Sequence, residues 1–189
     1  MQFTIQHYPE LPSTNDLAKE EARKGAAEGL VIVADHQTAG RGKLERKWIS
    51  LPGKNLLFSL LIRPSLNASQ APMLTQISCR SVAQALKEKL GIESTFKQPN
   101  DILVSGKKIC GILVEASTGQ NQRLEWAVIG IGLNVNASPE ELMNESTSLA
   151  KVLGKDQKMD PEHALLVGRV SSFSRWIFSF RCPSRQRQL

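Results

Sequence analysis

Residues 40–48, GRGKLERKW, combine two glycines with four cations in a stretch that has no regular periodicity. Glycines let backbone N–H groups approach a ligand, and cations supply positive charge, so this composition suits a bound phosphate or another anion. The order differs from the GxxxxGK[ST] of a P-loop, which excludes that kind of nucleotide site. Taken alone, a solvated basic loop is the simpler interpretation of the segment.

A second candidate lies in residues 97–101, KQPND, where a proline turn precedes an amide and a carboxylate. Asp101 could bind a magnesium ion, a ribose hydroxyl or an incoming amine, and the alternative is that Asn100 and Asp101 only stabilise a turn. Lys107 and Lys108 follow in a predicted hairpin. A lysine there is either a solvated charge or a group that neutralises a carboxylate and a phosphate together.

Several common sites are excluded by spacing. Residues 130–134, GIGLN, lack the last glycine of GxGxxG and do not open a helix, which argues against a dinucleotide site. The three histidines have no HExxH spacing, and Ser13 has no GxSxG context, so neither a zinc protease nor a serine nucleophile is predicted. The three cysteines are odd in number and far apart, which favours reduced thiols over disulfides or zinc.

The elements that must position these motifs mix strands and helices. A helix should begin at Ser13 or Thr14, one of which should cap it, and should end at Gly25. Residues 37–54 should form a long functional loop, and glycines inside the last strand should mark close backbone approach. Strands are predicted over 2–6, 30–35, 55–64, the hairpin 102–116 and 124–136, and further helices over 69–90, within 138–146, over 149–153 and from Pro161.

Composition favours one globular domain. The 189 residues are long enough to bury a core, with 41% hydrophobic and 22% charged residues. We expect a cytoplasmic protein without a membrane segment, because there is neither a span-length apolar run nor a signal-like start. Five arginines and no acid in residues 169–189 account for most of the net charge of +6. Such a tail can bind polyanions nonspecifically, and no specific nucleic acid is expected.

Taken together and in order, these segments resemble the catalytic domain of biotin–protein ligases. The resemblance covers about residues 3–155 and rests on STN (13–15), AGRGK…KW (39–48), KQPND (97–101), GKKICGILVE (106–115) and GIGLNVN (130–136). It implies an α+β fold, a mixed and largely antiparallel sheet with packed helices, related to class II aminoacyl-tRNA synthetases. It also implies a biotin–[acetyl-CoA-carboxylase] ligase, which uses ATP and Mg²⁺ to join biotin, via biotinyl-5'-adenylate, to a lysine of a biotin carboxyl carrier protein.

The same resemblance assigns roles to residues. Those that bind biotin would be Ser13, Thr14, Asn15, Gln37, Gly40, Arg41 and Lys108. The catalytic residues would be Arg41, Lys43, Lys108 and Asp101. The nucleotide would contact Trp48, Asn100, Asp101 and Asn134, with Asp101 as the metal ligand.

The sequence departs from the family pattern at three site positions. It has Gln98 where tryptophan is usual, Lys43 where arginine is common and Glu45 where glycine is common. Lysine keeps the charge of arginine but loses its bidentate geometry. Each departure puts a contact beside the proposed site in question.

Domain organisation differs from the family as well. We expect a catalytic domain over residues 1–168 and an atypical basic tail over 169–189, without the family's small C-terminal β domain. Without a winged-helix domain, no operator binding is expected, and the protein should be a monomer or homodimer. The rival functions are a lipoate or octanoyl ligase or transferase on the same fold, and a noncatalytic protein that binds biotin or the carrier.

Overall fold

The computed structural model describes residues 2–138, 140–142 and 145–154. The elements, in chain order, are β1 (Thr4–Leu11), α1 (Thr14–Arg23), β2 (Leu30–Gln37), β3 (Asn55–Ile62), α2 (Ala71–Leu90), β4 (Thr95–Lys97), β5 (Asp101–Val104), β6 (Lys107–Thr118), β7 (Leu124–Asn134) and α3 (Leu149–Leu153). This is the α+β class that the sequence predicts.

All seven strands form one sheet in the order β1-β2-β3-β7-β6-β5-β4. β1 and β2 run parallel, and every other neighbouring pair is antiparallel, so the sheet is mixed and largely antiparallel as expected. The central strands β3 and β7 are buried along almost their whole length. These two strands form the rigid centre of the sheet. Predicted site residues lie at the ends of β5, β6 and β7 around it.

The two longer helices pack on opposite faces of this sheet. Alternate strand residues point to opposite faces. α1 packs Ala18 and Ala22 against a cluster that contains Leu61 of β3. α2 packs Leu74 and Leu86 into the larger core that contains Leu60, the residue before Leu61. The first turn of α1 is thereby fixed above the face that carries the site.

Most predicted elements are confirmed, with differences at their ends. β1 continues to Leu11, five residues beyond its predicted end, because its pairing with β2 extends past the alternating apolar residues. β4 was missed because it has only three residues, all exposed. The described residues of 138–146 form turns and a bridge instead of a helix. The predicted helix from Pro161 and the boundary at 168/169 lie outside the described residues.

Two of the three thiols can be placed. Cys79 and Cys110 are free and buried. Burial, and to a smaller extent the charge of Asp101, raises the pKa of Cys79 to about 12, and burial raises the pKa of Cys110 as well. Both are therefore protonated and unreactive near neutral pH, as expected for structural cysteines. Separately, no helix in the described part of the chain combines the length and the apolar character needed to cross a bilayer.

Candidate functional site

The candidate site is a cleft of about 680 Å³ bounded by the start of α1, residues 41–49 and the strands β5 to β7. The sequence-predicted residues that line it are Ser13, Thr14, Asn15, Gln37, Arg41, Lys43, Trp48, Asn100, Asp101 and Lys108. Two predicted residues, Gly40 and Asn134, lie behind its wall. Segments almost a hundred residues apart in sequence therefore meet in one place.

The floor of the cleft consists of strand backbone exposed by glycines. A Cβ atom on Gly132 would lie 2.6 Å from the Trp48 ring, and one on Gly111 would lie 2.9 Å from it. A Cβ on Gly130 would overlap the side-chain amide of Asn15. These glycines are needed so that Trp48 and Asn15 can lie directly on the sheet, which confirms the predicted close approach.

At one end of the cleft, which we call the amide end (Thr14, Asn15, Gln37 and Ser59), the side-chain oxygen atoms are hydrogen-bonded to one another or to the neighbouring backbone. The backbone N–H and the hydroxyl of Thr14 both donate to Gln37 Oε1, at 2.7 and 3.0 Å. Ser59 Oγ lies 2.7 Å from Thr14 Oγ1 and 2.5 Å from Asn15 Oδ1. Because both lone pairs of Gln37 Oε1 are taken, Gln37 would meet a ligand as an amide donor.

Ser13 precedes this group as the N-cap residue of α1. Its side chain makes no capping hydrogen bond, so the predicted side-chain cap is wrong. The side chain of Thr14 is directed to Gln37 instead of to the helix N–H groups. Ser13 is buried but lines the cleft, which leaves its hydroxyl for a ligand.

The predicted loop is more ordered than its sequence suggests. Ser50 closes its base by accepting from the Gln37 N–H and donating to the Gln37 carbonyl, both at 3.0 Å. The backbone N–H of Trp48 donates to the Gly40 carbonyl at 2.9 Å, and the backbones of Arg41 and Lys47 pair in an antiparallel bridge. A Cβ on Gly40 would lie 2.6 Å from the Trp48 carbonyl, so this glycine permits the closure.

Four charged side chains join the loop to the body of the protein. Lys19 Nζ lies 2.9 Å from Asp16 and 2.7 Å from Glu115, and Arg41 Nη2 lies 2.6 Å from Asp16 and 3.0 Å from Glu115. Asn15 Nδ2 also donates to Glu115, at 2.8 Å. Burial alone would raise the pKa of Glu115, but the hydrogen bonds from Lys19 and Asn15 and the nearby cations outweigh it and lower this pKa.

The opposite end, which we call the charged end (Trp48, Asp101 and Lys108), is less saturated. Lys108 Nζ lies 2.7 Å from Asp101 Oδ1 and 5.5 Å from the centre of the Trp48 ring. The ion pair is not aligned as a hydrogen bond. Among the described residues, Asp101 Oδ1 and Trp48 Nε1 are buried without a hydrogen-bond partner. Such atoms carry a desolvation cost that a ligand can relieve.

The predicted nucleotide residues Asn100 and Asn134 both make protein contacts. Asn100 Nδ2 donates to the Ile112 carbonyl at 2.9 Å, which ties the KQPND turn to β6. Asn134 is buried; it accepts from Asn55 at 2.9 Å and donates to the Thr147 carbonyl at 3.0 Å. Asn134 therefore fixes the backbone at Thr147, next to residues 145 and 146 of the cleft wall. Its contact with a nucleotide stays a prediction.

The metal-ligating side chains of the cleft could bind magnesium in one way only. No group of three or more His, Cys, Asp or Glu side chains that could hold a metal ion occurs within the described residues. Mg²⁺ is commonly held by one or two carboxylates together with waters and substrate phosphates. The Asp101 carboxylate, which is paired with Lys108, fits a single-ligand role of this kind and does not fit an all-protein cage.

Sequence reasoning missed Ser59, Asp16 and Glu115. Asp16 and Lys19 are three residues apart on α1, a spacing that signals a pair on one helix face. Nothing in the local sequence links them to Glu115, because that contact depends on how α1 packs on the sheet beside β6. Ser59 is one polar residue in an apolar strand, and that exception was the available signal.

Comparisons with known proteins agree with this geometry. The model of the biotin/lipoate A/B protein ligase family matches residues 8–134. The bifunctional ligase/repressor BirA of Bacillus subtilis is 41% identical over 162 residues, which cover 82% of this chain and 50% of that protein. The biotin–[acetyl-CoA-carboxylase] ligase of Mycobacterium tuberculosis is 34% identical over 142 residues, which cover 72% of this chain and 51% of that protein.

Solved structures give the same result. The biotin protein ligase of Aquifex aeolicus in complex with biotin and ATP has a TM-score of 0.75 and 34% identity, over 94% of this chain and 71% of that one. The biotin protein ligase of Leishmania major in complex with biotin has a TM-score of 0.71 and 26% identity, over 98% and 83%. The chain spans about half the length of the first curated relatives it matches.

Proposed function

The chain belongs to the biotin/lipoate A/B protein ligase family, and we propose that it activates biotin with ATP and transfers the biotinyl group to a lysine of a biotin carboxyl carrier protein. The observation that carries the proposal is the position of Lys108. Its ammonium group lies against Asp101 and the Trp48 ring in the cleft that also contains Ser13 and Thr14. One cation is thus available where a ligand carboxylate and a phosphate would meet.

In the first step, a biotin carboxylate oxygen attacks the α-phosphorus of ATP, and the bond to the β-phosphate oxygen breaks to release pyrophosphate. Two anions approach each other in this step, so nearby positive charge lowers the barrier most in the transition state. Among the cleft-lining cations, Lys108 and Lys43 would supply it. The Arg41 guanidinium is already paired with Asp16 and Glu115, so its part would be to hold the covering loop. Magnesium, when bound with ATP beside Asp101, would add charge on the phosphates.

In the second step, the neutral amine of the carrier lysine attacks the acyl carbon of biotinyl-5'-adenylate, and AMP leaves. The amine must lose a proton as the amide forms. Asp101 is the cleft carboxylate that we assign to orient the amine and take this proton. Residues 41–48 would cover the adenylate, whose mixed anhydride is prone to hydrolysis when water enters.

The amide end would bind the ureido head of biotin. Its donors and acceptors are held by Thr14, Gln37 and Ser59 before any ligand arrives. Such preorganisation reduces the ordering cost of binding. Ser13 would contribute a hydroxyl and Gly40 would support Gln37 from behind. We assign the reaction to the cytoplasm, where free thiols such as Cys79 and Cys110 persist.

Biotin-dependent exchange of radiolabelled pyrophosphate into ATP, with magnesium and without carrier, tests the proposal. We expect exchange with biotin and none with lipoate or octanoate. Exchange with lipoate or octanoate but not with biotin would move the chain to the other branch of the family. Biotin binding without exchange would identify a noncatalytic binding protein.

A further inference from the structure

The four charges that join the loop to the body form a closed ring. Asp16 and Lys19 lie on α1, Glu115 lies on β6, and Arg41 is the first cation of residues 40–48. Each of the two cations contacts both carboxylates, at 2.6 to 3.0 Å. Three members of the ring therefore belong to rigid elements, and only Arg41 belongs to the covering segment.

We propose that Asp16, Lys19 and Glu115 form a preassembled socket with a net charge of −1, and that this socket fixes residues 40–48 over the cleft by binding the Arg41 guanidinium. Glu115 is the central positioning residue. It touches no ligand in the proposed function, and it acts through Arg41 and Asn15. The effect on ligand retention rests on the proposed function, whereas the position of the segment does not.

Glu115 is central because three donors converge on it. Its carboxylate accepts from Asn15 Nδ2 at 2.8 Å and contacts both Lys19 and Arg41. Its side chain is 23% exposed, against 49% for Asp16, so its interactions are less screened by solvent. One carboxylate thus links a cleft-lining amide to the residue that anchors the loop.

Lys19 makes the socket possible. Without it, two carboxylates would face the same guanidinium and would repel each other. Lys19 is 15% exposed and contacts both, so they are already held together when Arg41 enters. Isolated exposed ion pairs contribute little because two flexible side chains must be ordered. Here only the side chain of Arg41 remains to be ordered.

The decisive experiment follows tryptic cleavage after Arg46 and Lys47 by mass spectrometry in the full-length, ligand-free chain. Glu115→Gln keeps an oxygen that accepts from Asn15 but removes the charge, and we expect cleavage roughly five-fold faster than in the parent. Arg41→Gln should behave in the same way. Glu125→Gln is the matched control, since that carboxylate lies on β7 and contacts Ser117 outside the ring. Cleavage after Arg80, within α2, reports global unfolding in the same digest.

Two further readouts separate positioning from a loss of stability. Added salt should speed loop cleavage in the parent and should have a smaller effect in Glu115→Gln, because only the Arg41–Asp16 ion pair then remains to be screened. The double variant should be cleaved no faster than Arg41→Gln alone if Glu115 acts through Arg41. Equal loop cleavage in the parent, Glu115→Gln and Glu125→Gln would overturn the socket. So would acceleration that is fully matched at Arg80.

Biotin dissociation, measured on the same variants, keeps this result distinct from the proposed function. Faster biotin release from Glu115→Gln than from Glu125→Gln would extend the socket to ligand retention. If the parent binds no biotin while the cleavage pattern holds, the socket stands and the proposed function fails. If the parent binds biotin and the cleavage pattern is absent, the socket fails and the function stands.

Discussion

The two ends of the cleft differ in how their polar groups are satisfied. At the amide end, Ser59 links Thr14 to Asn15, and Thr14 donates directly to Gln37. Asn15 also donates to the backbone carbonyl of Leu113. At the charged end, Asp101 Oδ1 and Trp48 Nε1 have no hydrogen-bond partner among the described residues. The oxygen atoms of the first end have protein partners before a ligand arrives, which fixes the orientation of its free donors, whereas the two atoms named at the second end do not.

This difference matches the two tasks of the proposed reaction. A rigid head group that does not change during the reaction is best held by fixed donors and acceptors. Charge changes at the other end, where phosphate and carboxylate meet, and groups that gain partners only there favour the reacting complex over the free protein. We therefore expect substitutions at the charged end to lower the rate and substitutions at the amide end to lower affinity.

The largest effect is expected from Lys108→Ala. The variant removes the cation beside Asp101 and leaves a partly buried carboxylate without its ion-pair partner. We expect biotin-dependent pyrophosphate exchange to fall by about 100-fold or more, with a smaller loss of biotin affinity. Lys107→Ala is the control, since Lys107 is exposed at the start of β6, next to Lys108 in sequence. Equal exchange rates in the two variants would remove Lys108 from the reaction.

A second test alters the floor beneath the charged end. Gly132→Ala would place a methyl group 2.6 Å from the Trp48 ring and force the ring away from the sheet. We expect a loss of about 1–3 kcal/mol in the free energy of unfolding, measured with urea. The same substitution in a Trp48→Ala background should have a much smaller effect, because the clashing atoms are gone. Equal losses in both backgrounds would show that the cause is not the ring.

A smaller effect is expected at the amide end. Thr14→Val removes the hydroxyl that donates to Gln37 Oε1 and accepts from Ser59, whereas Thr14→Ser keeps both interactions. We expect biotin to bind about five- to ten-fold more weakly to Thr14→Val, because the lost contacts orient Gln37 and do not themselves touch the ligand. The rate of adenylate formation at saturating biotin should stay close to that of Thr14→Ser. A rate loss as large as that of Lys108→Ala would erase the distinction between the two ends.

The sequence predicted those features that depend on local pattern. Apolar runs indicated the central strands, and the period of Leu74 and Leu86, with Gly91 beyond, indicated α2. Glycines within strands indicated that something lies against the backbone, although not that it would be Trp48. The order of five motifs identified the family and thereby brought together residues that no local pattern connects.

The features that were missed depend on tertiary geometry. The extension of β1 to Leu11 follows from pairing with β2. The ring around Glu115 follows from the packing of α1 on β2, β3 and β7, which brings the Lys19 side chain within reach of β6. Asn134 was assigned to the nucleotide, yet its amide is bound to Asn55 and Thr147. A match to a family motif predicts that a residue belongs to a site, but only packing shows whether its side chain faces the ligand or supports the wall.

The smallest effect that we predict concerns pH and the link between the amide end and the loop. The pKa of Glu115 in the folded protein lies below its ordinary value of 4.5, since hydrogen bonds and cations outweigh the effect of burial. A carboxyl whose pKa is lowered by folding stabilises the folded state above its unfolded pKa, and this contribution is lost as the pH falls through the folded value. The difference in urea midpoint between the parent and Glu115→Gln should therefore stay constant from about pH 7 to about pH 5 and shrink at more acidic pH.

A difference that vanished already between about pH 7 and 6 would mean that another group, such as a histidine, carries it. A difference that grew on acidification would show that folding raises this pKa, and the ring of charges would then not be the arrangement that holds Arg41.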